Sequence, residues 1–132
     1  MSGNPRTAKI FTAAGVLLLS AVLVAARDDE RRLTVKATAF NSTPAQTDNR
    51  PHETACGDWL EEGSRVIAVS RDLRDAGLVC GTKVKVSGLD GSWTVADVTA
   101  KRHEQLIDIY MGQDIRAARR WGVQEVEISW RD

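Results

Sequence analysis

The chain has 132 residues, with 18 basic and 18 acidic side chains, and 42% of it is hydrophobic. That balance excludes disordered and collagen-like classes and leaves room for one domain. It also lacks the excess positive charge that marks a nucleic-acid surface.

The first 26 residues stand apart from that domain. Arg6 and Lys9 precede IFTAAGVLLLSAVLVAA, seventeen residues at 10–26 without a charge. Basic, then apolar, then small residues is the order of a secretory signal, with Val24-Ala25-Ala26 as a cleavage site. The run also reaches the roughly 17-residue lower limit of a membrane span, so anchoring in the inner membrane through residues 10–26 is the second outcome. In both cases the basic flank keeps the N-terminus in the cytoplasm and sends the rest out, to the periplasm or cell envelope. Removing residues 1–26 leaves 16 basic against 18 acidic residues, net −2. Neither nucleic acid nor anionic lipid is the expected partner. Cys56 and Cys80 are the only cysteines. An oxidising compartment lets them pair as a disulfide, the alternative being two buried free thiols. No Cys-x-x-Cys is present and only His52 and His103 could complete a zinc site, so neither a metal nor another cofactor is expected.

RDDERR (27–32) reads as a charged, solvated tether, and the domain as residues 33–132. LTVKATAF (33–40) alternates Leu33, Val35, Ala37 and Ala39 against Thr34, Lys36, Thr38 and Phe40, the period of a half-buried strand. NSTPAQTDNRPHET (41–54) is polar with two prolines, hence a long loop. RVIAV (65–69) is a short apolar strand. SRDLRDAG (70–77) offers Ser70 as an N-cap and Gly77 as a stop, one or two helical turns. TKVKVSG (82–88) and SWTVADV (92–98) flank LDG as a hairpin. LIDIY (106–110) is a further strand. GQDIRAARRWG (112–122) reads as a helix with Ile115, Ala118 and Trp121 along its apolar stripe and Gly122 at its C-cap. VQEVEISW (123–130) closes as a strand. About six short strands in roughly a hundred residues predict a small barrel or sandwich, and closing a barrel removes exposed edges.

TVKATAF, TACG, LVCGTKVKVSG, WTVADV, LIDIYMG and ARRWGVQEVEI follow one another in the order and spacing of the 3D (three-aspartate) domain. Residues 34–130 thereby resemble the catalytic barrel of membrane-bound lytic transglycosylase A and, more distantly, rare lipoprotein A, expansins and barwin. The resemblance implies a mainly β fold, a six-stranded double-psi β-barrel with one or two short helices, that acts on or binds peptidoglycan or a related polysaccharide. It places two family aspartates on Asp97 and Asp108, the latter matching the transglycosylase's catalytic acid, and the third on Asp48. Cys80 falls where barwin-like relatives also carry cysteine, which would make a Cys56–Cys80 bridge a staple at the cleft's mouth. Thr54, Trp59 and Tyr110 are candidate substrate contacts, with Trp59 as a sugar platform and Trp93 and Trp121 as core. Two departures stand out. VTAKRHEQ (98–105) has no glycine where the family often turns on one, and Phe40 stands where a tyrosine is common.

Asp108 is the odd residue in its strand. A carboxylate among Leu106, Ile107, Ile109 and Tyr110 is costly to bury. Either the alternation turns it to water, or it lines a site that needs an acid. Lytic transglycosylation needs one carboxyl protonated near neutrality, first as acid and then as base. Burial and a nearby like charge on Asp97 would raise Asp108 toward that state. The expected function is therefore glycan cleavage through Asp108, assisted by Asp97. The alternative is a non-catalytic, expansin-like wall-binding module, or an accessory to another wall enzyme. The sequence leaves open whether the chain is an enzyme.

Overall fold

The computed structural model describes residues 29–42 and 53–132. The apolar run at 10–26 read as a signal or anchor, Asp48 and His52 lie outside the described residues. Residues Arg31–Asp132 make one compact unit. No helix among the described residues is long and apolar enough to cross a membrane.

The elements, in chain order, are β1 (Glu30–Phe40), β2 (Val66–Val69), α1 (Arg71–Asp75), β3 (Lys83–Val86), β4 (Trp93–Val98), β5 (Leu106–Tyr110), α2 (Ile115–Trp121) and β6 (Gln124–Arg131). The strands form a closed six-stranded barrel in the order β1-β5-β2-β4-β3-β6. β1 runs parallel to β5 and β2 parallel to β4, while β2–β5, β3–β4 and β3–β6 are antiparallel. Closure leaves no open edge for another chain to pair with.

Alternation builds the core. Val35 and Ala37 of β1, Ile67 and Val69 of β2, Val84 and Val86 of β3, Val95 of β4, Ile107 and Ile109 of β5, and Val126, Ile128 and Trp130 of β6 are all buried in one cluster. Every second residue on these strands points inward, and the β-branched majority packs well on a pleated surface. The expected hairpin forms, with Lys83 opposite Thr94 and Val84 opposite Trp93.

Three local expectations change. β1 begins at Glu30, so Glu30, Arg31 and Arg32 belong to a strand rather than to a tether. Their side chains stay exposed, and the Arg31 guanidinium stacks 5.1 Å from the Trp130 ring centroid and donates to the Ala76 carbonyl at 2.7 Å. Ser70 stands at the N-cap of α1 without a side-chain capping bond; its Oγ instead accepts the Leu106 N–H at 3.1 Å. α2 is shorter than its pattern, because Asp114 caps it by accepting the Ala117 N–H at 2.9 Å. Ile115, assigned to the apolar stripe, is 40% exposed. Trp121 does pack on the core, and its indole N–H donates to the Ala37 carbonyl at 3.1 Å.

Candidate functional site

Four strands bring one row of side chains together on the outer wall of the barrel. Thr38 pairs with Asp108 across β1–β5, Asp108 with Ala68 across β5–β2, and Ala68 with Asp97 across β2–β4. Residues directly opposite on adjacent strands point to the same face. Because Ile107 and Ile109 fill the core, Asp108 faces outward, as the alternation requires. It is nevertheless only partly open to water. Leu106 and Tyr110, which share its face of β5, are both buried, and Asp108 is half-buried between them. Ala68 leaves a low point between the two aspartates, whose backbones stand two strand spacings, about 10 Å, apart.

Burial is the largest influence on Asp108 and raises its carboxyl above the ordinary aspartate value. The Thr38 hydroxyl, donating to Oδ1 at 2.9 Å, and the charge of His103 pull it back, and the like charge of Asp97 adds a smaller upward push. The net direction is up, toward the protonated form. Burial penalises the charged carboxylate, which is why it dominates here.

Asp97 sits just after a register shift in the β2–β4 pairing, and Ala96 is the extra residue that turns Asp97 to the outer face. Its Oδ1 accepts the backbone N–H of Ala55 at 3.0 Å and that of Val98 at 2.9 Å. It therefore anchors the segment that starts at Glu53. That segment is tied down again where Cys56 N–H donates to the Ala96 carbonyl at 3.1 Å. The expected disulfide is present: Cys56 and Cys80 are bonded, with Cα atoms 5.8 Å apart. Gly81 N–H donates to the Val95 carbonyl at 2.8 Å, so both ends of the bridge hang from β4.

The other candidates divide. Trp59 is 67% exposed and pairs through its backbone with Glu53, at the rim of the latched segment. Thr54 is buried, and its Oγ1 accepts the Asp58 N–H at 3.0 Å, closing a turn. Tyr110 is 3% exposed; its hydroxyl bonds to the Ser42 hydroxyl at 2.7 Å and its ring lies 5.4 Å from that of Phe40, so it forms a wall beside Asp108. Glu62 closes the far side of that wall. Its carboxylate accepts the Gln113 N–H at 3.0 Å and occupies the space a side chain would need at Gly112, whose φ is +58°. Trp93 is partly buried against the core under the Arg65 guanidinium, 4.9 Å from its ring centroid.

Thr38, Ala68 and His103 enter the site without having been singled out for it. Thr38 and Ala68 owe their place to strand register, for which one sequence carries no local signal. His103, considered from the sequence only as a zinc ligand, is half-buried and its charge reaches Asp108. The glycine-free loop before β5 turns on Gln105, whose φ is +46°, the one non-glycine residue with positive φ among those described. Its N–H donates to the Asp72 carboxylate and its carbonyl accepts from Lys36 N–H, each at 3.0 Å, which holds a backbone geometry that glycine would adopt freely. Among the described residues, no group of three or more His, Cys, Asp or Glu is placed to hold a metal ion.

The fold and the row across it define a small six-stranded double-psi β-barrel with a half-buried outward carboxyl. Among solved structures it is similar to apo expansin from Clavibacter michiganensis, at 19% identity and a TM-score of 0.53 over 77% of this chain and 51% of that one. A variant of that expansin in complex with cellohexaose matches at 18% identity and a TM-score of 0.50. The Streptomyces papain inhibitor matches at 20% identity and a TM-score of 0.50, with 77% of this chain and 96% of that one covered. The chain thus spans about half the length of the expansin structures it matches. No family model and no curated protein sequence matches the chain.

Proposed function

We propose that the chain is an exported polysaccharide-binding barrel of expansin-like character, which holds a glycan strand across the Thr38–Asp108–Ala68–Asp97 row without cleaving it. The observation that carries this reading is the commitment of Asp97 to two backbone amides. Ordinary glycoside hydrolysis uses two carboxyl groups, one to protonate the leaving oxygen and one to activate or act as the nucleophile. Of the two carboxyls in this row, Asp108 alone is not committed to backbone amides, and one carboxyl suffices to bind sugar hydroxyls. The exposed Trp59 supplies an apolar plate on the segment latched to the row. The expansin likeness, one structure of which holds cellohexaose, supports a glycan as the ligand. The disulfide fits an oxidising, extracytoplasmic compartment. Asp48 remains a candidate contact in this proposal, and peptidoglycan the expected wall polymer.

A second reading rests on Asp108 itself. A half-buried carboxyl with a raised pKa is what a single-acid lytic transglycosylase requires, and that chemistry needs no second carboxylate. Incubating the purified chain with peptidoglycan and with cellulose, sedimenting it, and reading the supernatant by mass spectrometry separates the two. Binding predicts co-sedimentation with at least one polymer, no soluble fragments, and weaker retention of Asp108→Asn. Anhydro-muropeptides released by the wild type and not by Asp108→Asn would establish the transglycosylase instead. Failure to sediment with either polymer would remove the binding reading.

A further inference from the structure

Beyond Thr38 the outer face of β1 continues into a depression. A groove of about 300 Å³ is lined by Thr34, Val35, Lys36, Glu104, Gln105 and Glu125. Its place follows from register. Lys36 pairs with Leu106 and Thr38 with Asp108, so Lys36 and Thr38 lie on one face, one alternation apart, about 7 Å along the strand. Glu125 comes from β6 on the far side of β1, and Glu104 from the loop entering β5, so the two carboxylates stand on opposite walls with Lys36 on the floor. None of these three charged side chains is engaged in an ion pair or side-chain hydrogen bond. Three mutually unpaired charges around a groove, net −1, present acceptors on two sides of whatever enters it.

We propose that this groove is a second subsite of the glycan cleft and takes a sugar carrying a free ammonium group. The proposal rests on the polysaccharide-binding reading and narrows it from any glycan to an amine-bearing one. An ammonium ion brings three donors to Glu104 and Glu125. Lys36 is a donor only, so it serves hydroxyl or ring oxygens of the same unit. A neutral glucan offers the two carboxylates hydroxyl donors but no positive charge.

Three hexasaccharides that share β-1,4-linked glucose-type rings and differ at C2 test this: cellohexaose with a hydroxyl, the N-acetylglucosamine hexamer with an amide, and the glucosamine hexamer with an amine. Calorimetry near pH 6 at low salt should give binding of the glucosamine hexamer about fivefold tighter than cellohexaose, the scale of two partly exposed ion pairs. The preference should shrink with added salt and disappear in Glu104→Gln/Glu125→Gln, whose exposed sites leave folding untouched. Lys36→Met, which removes the competing ammonium, should increase it. Equal affinity for all three hexamers, or a preference that survives the double variant or falls with Lys36→Met, overturns the subsite and leaves the glycan reading standing. If no hexamer binds, the polysaccharide reading falls and the subsite with it.

Discussion

Asp97 and Asp108 both stand one strand from Ala68, yet their surroundings differ. Asp97 accepts two backbone N–H groups, from Ala55 at 3.0 Å and Val98 at 2.9 Å. Asp108 accepts the Thr38 hydroxyl at 2.9 Å and is otherwise walled by Leu106 and Tyr110. One carboxylate has been made part of the scaffold, while the other is left under-satisfied and partly desolvated. The difference comes from strand position. Asp97 sits at the end of β4 after a bulge, where loop amides reach it, whereas Asp108 sits mid-strand, where the flanking amides belong to the sheet ladder. The β4 side of the row is therefore a fixed frame and the β5 side is where chemistry or ligand binding can be tuned.

The frame breaks first at the disulfide. Cys56 and Cys80 are 24 residues apart, and releasing a loop of that size costs about 3 kcal/mol of stability in the chain-entropy picture. Reductant should lower the melting temperature by roughly 12 °C or more, and a Cys56→Ser/Cys80→Ser chain should melt at the lower value with or without it. A melt indifferent to reductant would mean that β4 alone holds the segment. Next comes Asp97→Ala, which leaves two amide donors without their charged acceptor. With one bond exposed and the other part-buried, that is worth about 2 kcal/mol. The loss should be accompanied by faster amide exchange at Ala55 and Val98. If exchange there is unchanged, Asp97 is not the anchor.

What the sequence displays and what it hides follow the same division. The six strands, the hairpin and the core faces are readable because alternation is a local property. Cys56–Cys80 is readable because an even pair behind a signal-like N-terminal pattern has few alternatives. Asp108 is conspicuous because a lone acid interrupts an apolar run. Its partners are hidden: Thr38 lies 70 residues away and reaches it through a parallel pairing that closes only with the barrel. The amide of Ala55 is 42 residues from Asp97 and arrives by way of the latched segment. Glu30–Arg32 look like a tether because charged residues are equally at home on an exposed strand, and nothing local shows that Arg31 will stack on Trp130. Ile115 fits a helical stripe, but the Asp114 cap starts α2 at that residue and leaves it 40% exposed.

Smaller effects sharpen the β5 side. Thr38→Val keeps the shape and removes the hydroxyl donor to Asp108 Oδ1. Because that bond favours the charged carboxylate, its loss should move the Asp108 titration further up, as followed by the carboxyl carbon shift against pH. Stability at neutral pH should fall by about 1 kcal/mol. A titration that stays put or moves down would show that the hydroxyl is not the group restraining Asp108.

The smallest effect carries the cleanest sign. Asp108 has a folded pKa above its unfolded value, so between the two the folded state binds more protons than the unfolded one. Stability then falls as pH rises from the unfolded aspartate value, about 3.9, through the raised folded value, and the cost is fully present above it. Asp108→Asn keeps the shape and cannot ionise. It should therefore be slightly more stable than the wild type at neutral pH and should lose that advantage below about pH 4. Asp97→Asn should be destabilising at neutral pH, because its two amide donors face a weaker, neutral acceptor. The same chemical change on either side of Ala68 is thus expected to have opposite signs. Two losses of equal size would mean that Asp108 is as firmly built into the frame as Asp97. It would then have no strain to release on meeting a sugar hydroxyl.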